Sequence, residues 1–156
     1  MKLSTKVAEL TQIIEPAVTA CDVSLWGIEF VPQGRRSLLR IYIEALPEDR
    51  AEGKQVTIED CAAVTHQVGG VLDLHDPIAG EYLLEVSSPG LDRAFFSAEQ
   101  LHDYVGQTIS LRLIHAIGQG SDKRRKVTGE LVNIDERQLT VKTEQNQAND
   151  QLLTIE

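Results

Sequence analysis

Tyr82-Leu83-Leu84-Glu85-Val86-Ser87-Ser88-Pro89-Gly90-Leu91-Asp92-Arg93 opens as a strand and closes as a turn. Tyr82 to Val86 carry the aromatic and branched side chains that suit a pleated surface. Ser87-Ser88-Pro89-Gly90 then breaks the run, because proline gives no donor to a sheet ladder and glycine favours a turn. Before the break, helical and strand periodicities alternate. After it come short strands joined by turns. Gly90 to Arg93 is therefore the expected domain boundary, dividing residues 1–90 from residues 91–156.

Upstream, Leu3, Val7, Leu10, Ile13 and Ile14 recur at helical spacing, and Pro16 is expected to kink or close that helix. From Cys21 to Val31 the pattern is that of a strand, with Trp26-Gly27 marking a bulge. Pro32-Gln33-Gly34 reads as a hairpin turn and Leu38 to Ile43 as the returning strand. Pro47 to Lys54 reads as a charged loop. Thr57 is a suitable helix cap, with Glu59 and Asp60 in the first turn to meet the helix dipole. Cys61, Val64, Val68 and Leu72 form the apolar face; Gly69-Gly70 weakens the helix and Asp76-Pro77 stops it. The order is helix, strand, strand, helix, strand: an α/β domain whose small open sheet carries both helices on one face.

Downstream, a short helical piece from Ser97 to Tyr104 is expected, with Ser97 as its cap. Strands follow around Ile109 to Leu113, Lys126 to Ile134, Leu139 to Val141 and Leu152 to Ile155. Short strands with a glycine at position 129 suggest an SH3-like small β-barrel. The whole chain is thus expected to be α+β.

Of the 156 residues 42% are hydrophobic and 25% charged, the composition of a folded protein and not of a disordered one. No signal peptide or membrane span is expected. Cys21 and Cys61 match no metal or redox spacing and suit buried thiols in the cytoplasm. Lys and Arg total 15 against 24 Asp and Glu, a formal net charge of −9. Phosphate repels such a chain at long range, so any RNA contact must be local, while basic proteins are attracted.

Ser87 or Ser88, at a strand end beside glycine, invites a nucleophile reading. Pro89 stands where the helix of a nucleophile elbow would begin, however, and His66, His75, His102 and His115 are scattered. A turn is preferred. Gly118-Gln119-Gly120 lacks the lysine and serine of a phosphate loop and reads as a flexible hairpin tip. Glu44, Glu48, Asp49 and Glu52 read as a solvated acidic loop, and no metal site is expected. Two basic features remain. Arg35-Arg36 lies on the first hairpin, and Lys123-Arg124-Arg125-Lys126 lies on a glycine-flanked hairpin that can pair with phosphates. The barrel strands have no aromatic platform for stacking bases or proline-rich peptides.

The string from Tyr82 to Arg93 resembles the signature of the RimP family of bacterial ribosome maturation factors. Trp26 to Val31, Val56 to Cys61 and Leu72 to Ile78 share the resemblance. It implies an N-terminal α/β domain joined to an SH3-like barrel. It also implies binding to the free small ribosomal subunit, with ribosomal RNA and a protein of the decoding region as partners. No catalytic residue, cofactor or metal is implied, and a cytoplasmic monomer is expected. The signature falls on Glu85, Ser87, Ser88, Pro89, Gly90, Leu91, Asp92 and Arg93. The turn would set the domain junction, and Asp92 and Arg93 would pin the barrel or meet RNA. Ala94 stands where the family commonly has proline. The chain ends at Glu156, inside an expected strand, where the family usually continues with a short basic segment.

The first expectation is therefore a non-catalytic assembly factor of the small subunit. An acidic adaptor for a basic protein is the alternative, and a hydrolase using Ser87 or Ser88 is disfavoured.

Overall fold

The computed structural model describes residues 4–90, 93–117, 124–135, 138–145 and 149–155. The chain forms two compact units, Met1–Phe96 and Ser97–Glu156. Among the described residues, no helix is long and apolar enough to cross a membrane.

The first unit runs α1 (Thr5–Thr19), β1 (Val23–Gln33), β2 (Arg36–Ala45), α2 (Pro47–Ala51), α3 (Ile58–His75) and β3 (Glu81–Ser87). The three strands form one sheet in the order β1-β2-β3, with β1 and β2 antiparallel and β2 and β3 parallel. Leu10, Ile14 and Val18 of α1 and Val64, Val68 and Leu72 of α3 pack with Ile28, Leu39, Ile41 and Ile43 in a single core. Both helices thus cover one face of the sheet, as the alternation of the strands requires.

Several local features follow from identifiable residues. Thr57 caps α3 through a reciprocal pair: its hydroxyl accepts from the Asp60 N–H (3.1 Å), and the Asp60 carboxylate accepts from the Thr57 N–H (2.9 Å). Asp76 ends the helix in the left-handed conformation, its N–H bonded to the Leu72 carbonyl. Pro16 does not close α1, which continues to Thr19. The proline costs about 3 kcal/mol in a helix interior, but the turn beyond it buries Ala17 and Val18 against the sheet. The hairpin turns at Gly34-Arg35, one step later than expected, and Pro32 lies within β1. Pro47 to Lys54 is not wholly loop: Pro47 starts the one-turn helix α2, with Glu48 and Asp49 at its N-terminus.

The second unit begins with a 3-10 helix, Ala98–Tyr104, preceded by Ser97 without a side-chain capping bond. β4 (Thr108–Ile117), β5 (Arg124–Ile134), β6 (Leu139–Gln145) and β7 (Asn149–Ile155) follow as an antiparallel meander. Ile109, Val127, Leu131, Ile134 and Val141 are buried together with Leu101 of the 3-10 helix. A Cβ on Gly129 would collide with the Lys142 carbonyl of β6, so the close approach of the two backbones requires glycine. Among the described residues the sheet is open, with β4 and β7 each paired on one side. The fold class is α+β.

Candidate functional site: the signature turn and its clasp

β3 leads directly into the signature. Glu85 stands on the face of the sheet away from the helices, in a row with Arg40 of β2 and Glu29 of β1. The Arg40 guanidinium bonds Glu85 at 2.9 Å and approaches Glu29 at 3.8 Å, an exposed ladder of modest energy. Ser87 and Ser88 are exposed at the strand end, and Gly90 takes a φ of +74° that favours glycine. Leu91 and Asp92 lie outside the described residues.

Arg93 then folds back onto the sheet. Its Nη1 donates to Glu44 Oε2 at 2.7 Å and its Nε to the Gly90 carbonyl at 3.0 Å. Both side chains of the Arg93–Glu44 pair are only 13% exposed. The Arg93 guanidinium also lies 4.7 Å from the centre of the Trp26 ring, within cation–π range. Trp26 Nε1 donates to the Ala94 carbonyl at 2.8 Å, and Phe95 tilts against the indole with ring centres 5.9 Å apart. Phe96 lies over Gly27, where any Cβ would strike its ring, and its centre is 6.0 Å from that of Tyr42.

The bulge in β1 makes this clasp possible. Leu25 pairs with Ile43 and Gly27 with Tyr42, so Trp26 is the extra residue. Leu25 and Ile28 both reach the helix-side core. Two consecutive residues, Trp26 and Gly27, are thereby left for the opposite face. One supplies an aromatic platform and the other the space for Phe96. Sequence reading found the bulge but missed its partners Glu44, Phe95 and Phe96; the adjacent phenylalanines after the signature are the signal that was present.

The acidic residues from Glu44 to Glu52 do not converge. Glu44 belongs to the clasp, while Asp49 and Glu52 pair with Lys54 at 3.3 and 3.2 Å and hold its ammonium above the usual lysine range. Among the described residues no cluster of three or more His, Cys, Asp and Glu could hold a metal ion. Cys21 and Cys61 are half-buried, and burial, with Asp60 nearby, raises both thiols.

The basic features fall in separate places. Arg35 occupies the first hairpin turn and Arg36 begins β2, both exposed. Arg125 and Lys126 are exposed on β5, Arg124 starts that strand, and Lys123 and the Gly118–Gly120 tip lie outside the described residues. Sequence reading missed Arg112 of β4, which is paired directly opposite Lys126. Ser110, Leu111, Arg112, Arg125 and Lys126 line one shallow depression. Two cations in directly opposed positions disfavour a bare strand pair.

A profile of the RimP N-terminal domain matches residues 13–92, from α1 through the signature turn and over just half of the chain. The chain belongs to the RimP family. The RimP family serves ribosome maturation and is not a known catalytic family. The matched segment ends one residue before Arg93, so the bulge, the Glu44 strand and the turn lie within it.

Proposed function

We propose that this chain binds the free small ribosomal subunit and promotes its maturation without catalysis. Its membership of the RimP family, carried by residues 13–92, is the observation that supports this most strongly. Ribosomal RNA and a ribosomal protein of the decoding region are the proposed partners, met by a monomer in the cytoplasm. The meander of the second unit is taken as the body of an SH3-like barrel, contacting RNA phosphates through Arg124, Arg125 and Lys126 with Lys123. Arg112 joins that set, since it stands against Lys126. Arg35 and Arg36 are proposed as a second contact on the hairpin tip.

Arg93 serves this function indirectly. With its guanidinium held by Glu44 and Trp26, it positions the chain leaving the signature turn. Ser87, Ser88, Pro89 and Gly90 shape the start of that exit. A net charge of −9 suppresses binding to stray RNA, so recognition rests on a few local cations and on protein contacts.

The salt dependence of small-subunit binding tests the RNA part. Neutralising one cation that pairs with a phosphate reduces the slope of log K against log salt by about one. Arg112→Gln/Lys126→Gln is expected to flatten that slope by about two. An unchanged slope and affinity would remove this face from the site.

A further inference from the structure

The sheet of the first unit has two outer edges of different construction. That of β1 is interrupted by the bulge at Trp26 and carries Pro32, which lacks an N–H. That of β3 has neither defence. β3 pairs with β2 in unbroken register from Arg36↔Glu81 to Tyr42↔Ser87, and it contains no proline or glycine. Among the described residues no strand pairs with its other side. The alternate residues of this seven-residue strand that direct their backbone donors and acceptors away from β2 are the template used when an extended peptide adds to a sheet.

The side chains of this edge indicate what would pair with it. Tyr82, Leu84 and Val86 face the helix-side core, so Glu81, Leu83 and Glu85 stand on the opposite face. Leu83 is 47% exposed and shares a row with half-buried Leu38 and with Val31, 39% exposed. Glu81 forms no ion pair or side-chain hydrogen bond among the described residues. The edge therefore presents an apolar anchor between Glu81 and a second carboxylate, Glu85, that Arg40 already holds. An incoming strand with a branched apolar residue and a lysine or arginine two positions to either side, all on one face, complements it in charge and in pleat. A second copy of this chain, itself at −9, does not.

We propose that the outer edge of β3 accepts an extended basic segment of a ribosomal protein as a fourth strand. This rests on the maturation reading only for the source of the segment. Backbone pairing supplies affinity, Leu83 anchors the alternate apolar side chain, and Glu81 selects a basic neighbour. The shortness of β3 suits a factor that must later leave.

The test uses the whole chain and a synthetic probe, acetyl-Thr-Lys-Thr-Val-Thr-Lys-Thr-amide, whose two lysines and valine share one face, with amide hydrogen exchange as readout. The probe is expected to slow exchange at alternate residues between 81 and 87. The same peptide N-methylated at every residue, equal in charge but with no strand N–H on either edge to complete the ladder, is expected not to. Glu81→Lys/Leu83→Asp, both surface changes, is expected to weaken the probe about tenfold. Equal binding of the N-methylated peptide, protection of β1 instead of β3, or a self-dimer through β3 would overturn the proposal. On particles, wild-type chain is expected to bind small subunits better than this variant. Equal binding by both overturns the proposal and leaves the maturation reading standing. Failure of the wild type to bind any subunit overturns that reading, while the peptide experiment still decides the edge.

Discussion

Arg93 and Glu44, 49 positions apart in the chain, meet at 2.7 Å with both side chains 13% exposed. The pair binds the segment after the signature turn to the middle strand of the first sheet. Buried pairs stabilise little relative to apolar replacements, but removing one partner strands the other charge. What such a pair does well is fix a geometry, here the path of residues 93–96 over Trp26 and Gly27.

Removing either partner is therefore costly. Glu44→Gln or Arg93→Met is expected to lower stability by about 2–3 kcal/mol in urea unfolding. The double variant is expected to lose less than the sum of the two. Additive losses would show that the residues do not act as a pair.

Gly27 is needed for the ring of Phe96 and not for its backbone freedom. Gly27→Ala is expected to destabilise by about 1–3 kcal/mol through overpacking. In a Phe96→Ala background the same change is expected to cost much less. A cost that persists there would place the constraint elsewhere.

Gly70 in α3 behaves oppositely. A Cβ there would meet no atom within 4 Å, so the glycine only loosens the helix. Gly70→Ala is expected to stabilise by about 1 kcal/mol, read as a higher urea midpoint with an unchanged slope.

Alkaline pH is expected to weaken the first unit. Burial raises the thiols of Cys21 and Cys61 above their ordinary 9.0, and the Tyr82 phenol above its ordinary 10.0. Below these ordinary values neither the folded nor the unfolded chain ionises them. Above, the unfolded chain loses protons that the folded chain keeps, so stability falls as pH rises through the shifted values. Urea midpoints flat from about pH 7 to 8 and falling above about 9 are expected. Cys21→Ser/Cys61→Ser is expected to remove part of that fall, and an identical profile would exclude the thiols as its source.

Much of this fold could be read locally. The Thr57 cap, the Trp26-Gly27 bulge and the apolar face of Val64, Val68 and Leu72 each depend on residues within one or two turns of one another. Where the structure differs from the local pattern, the reasons are physical. α1 continues past Pro16 because burial of Ala17 and Val18 outweighs a local penalty, and α2 is too short for periodicity to show. The clasp was invisible because its bonds, Trp26 to Ala94 and Glu44 to Arg93, join distant parts of the chain. Arg112 escaped notice for the same reason: only the register of β4 on β5 brings it to Lys126.

Co-sedimentation of the chain with separated small subunits, large subunits and whole ribosomes tests the central claim most directly. Selective recovery with free small subunits is the predicted result. Recovery with no particle, or equally with large subunits and whole ribosomes, would contradict a role in small-subunit maturation.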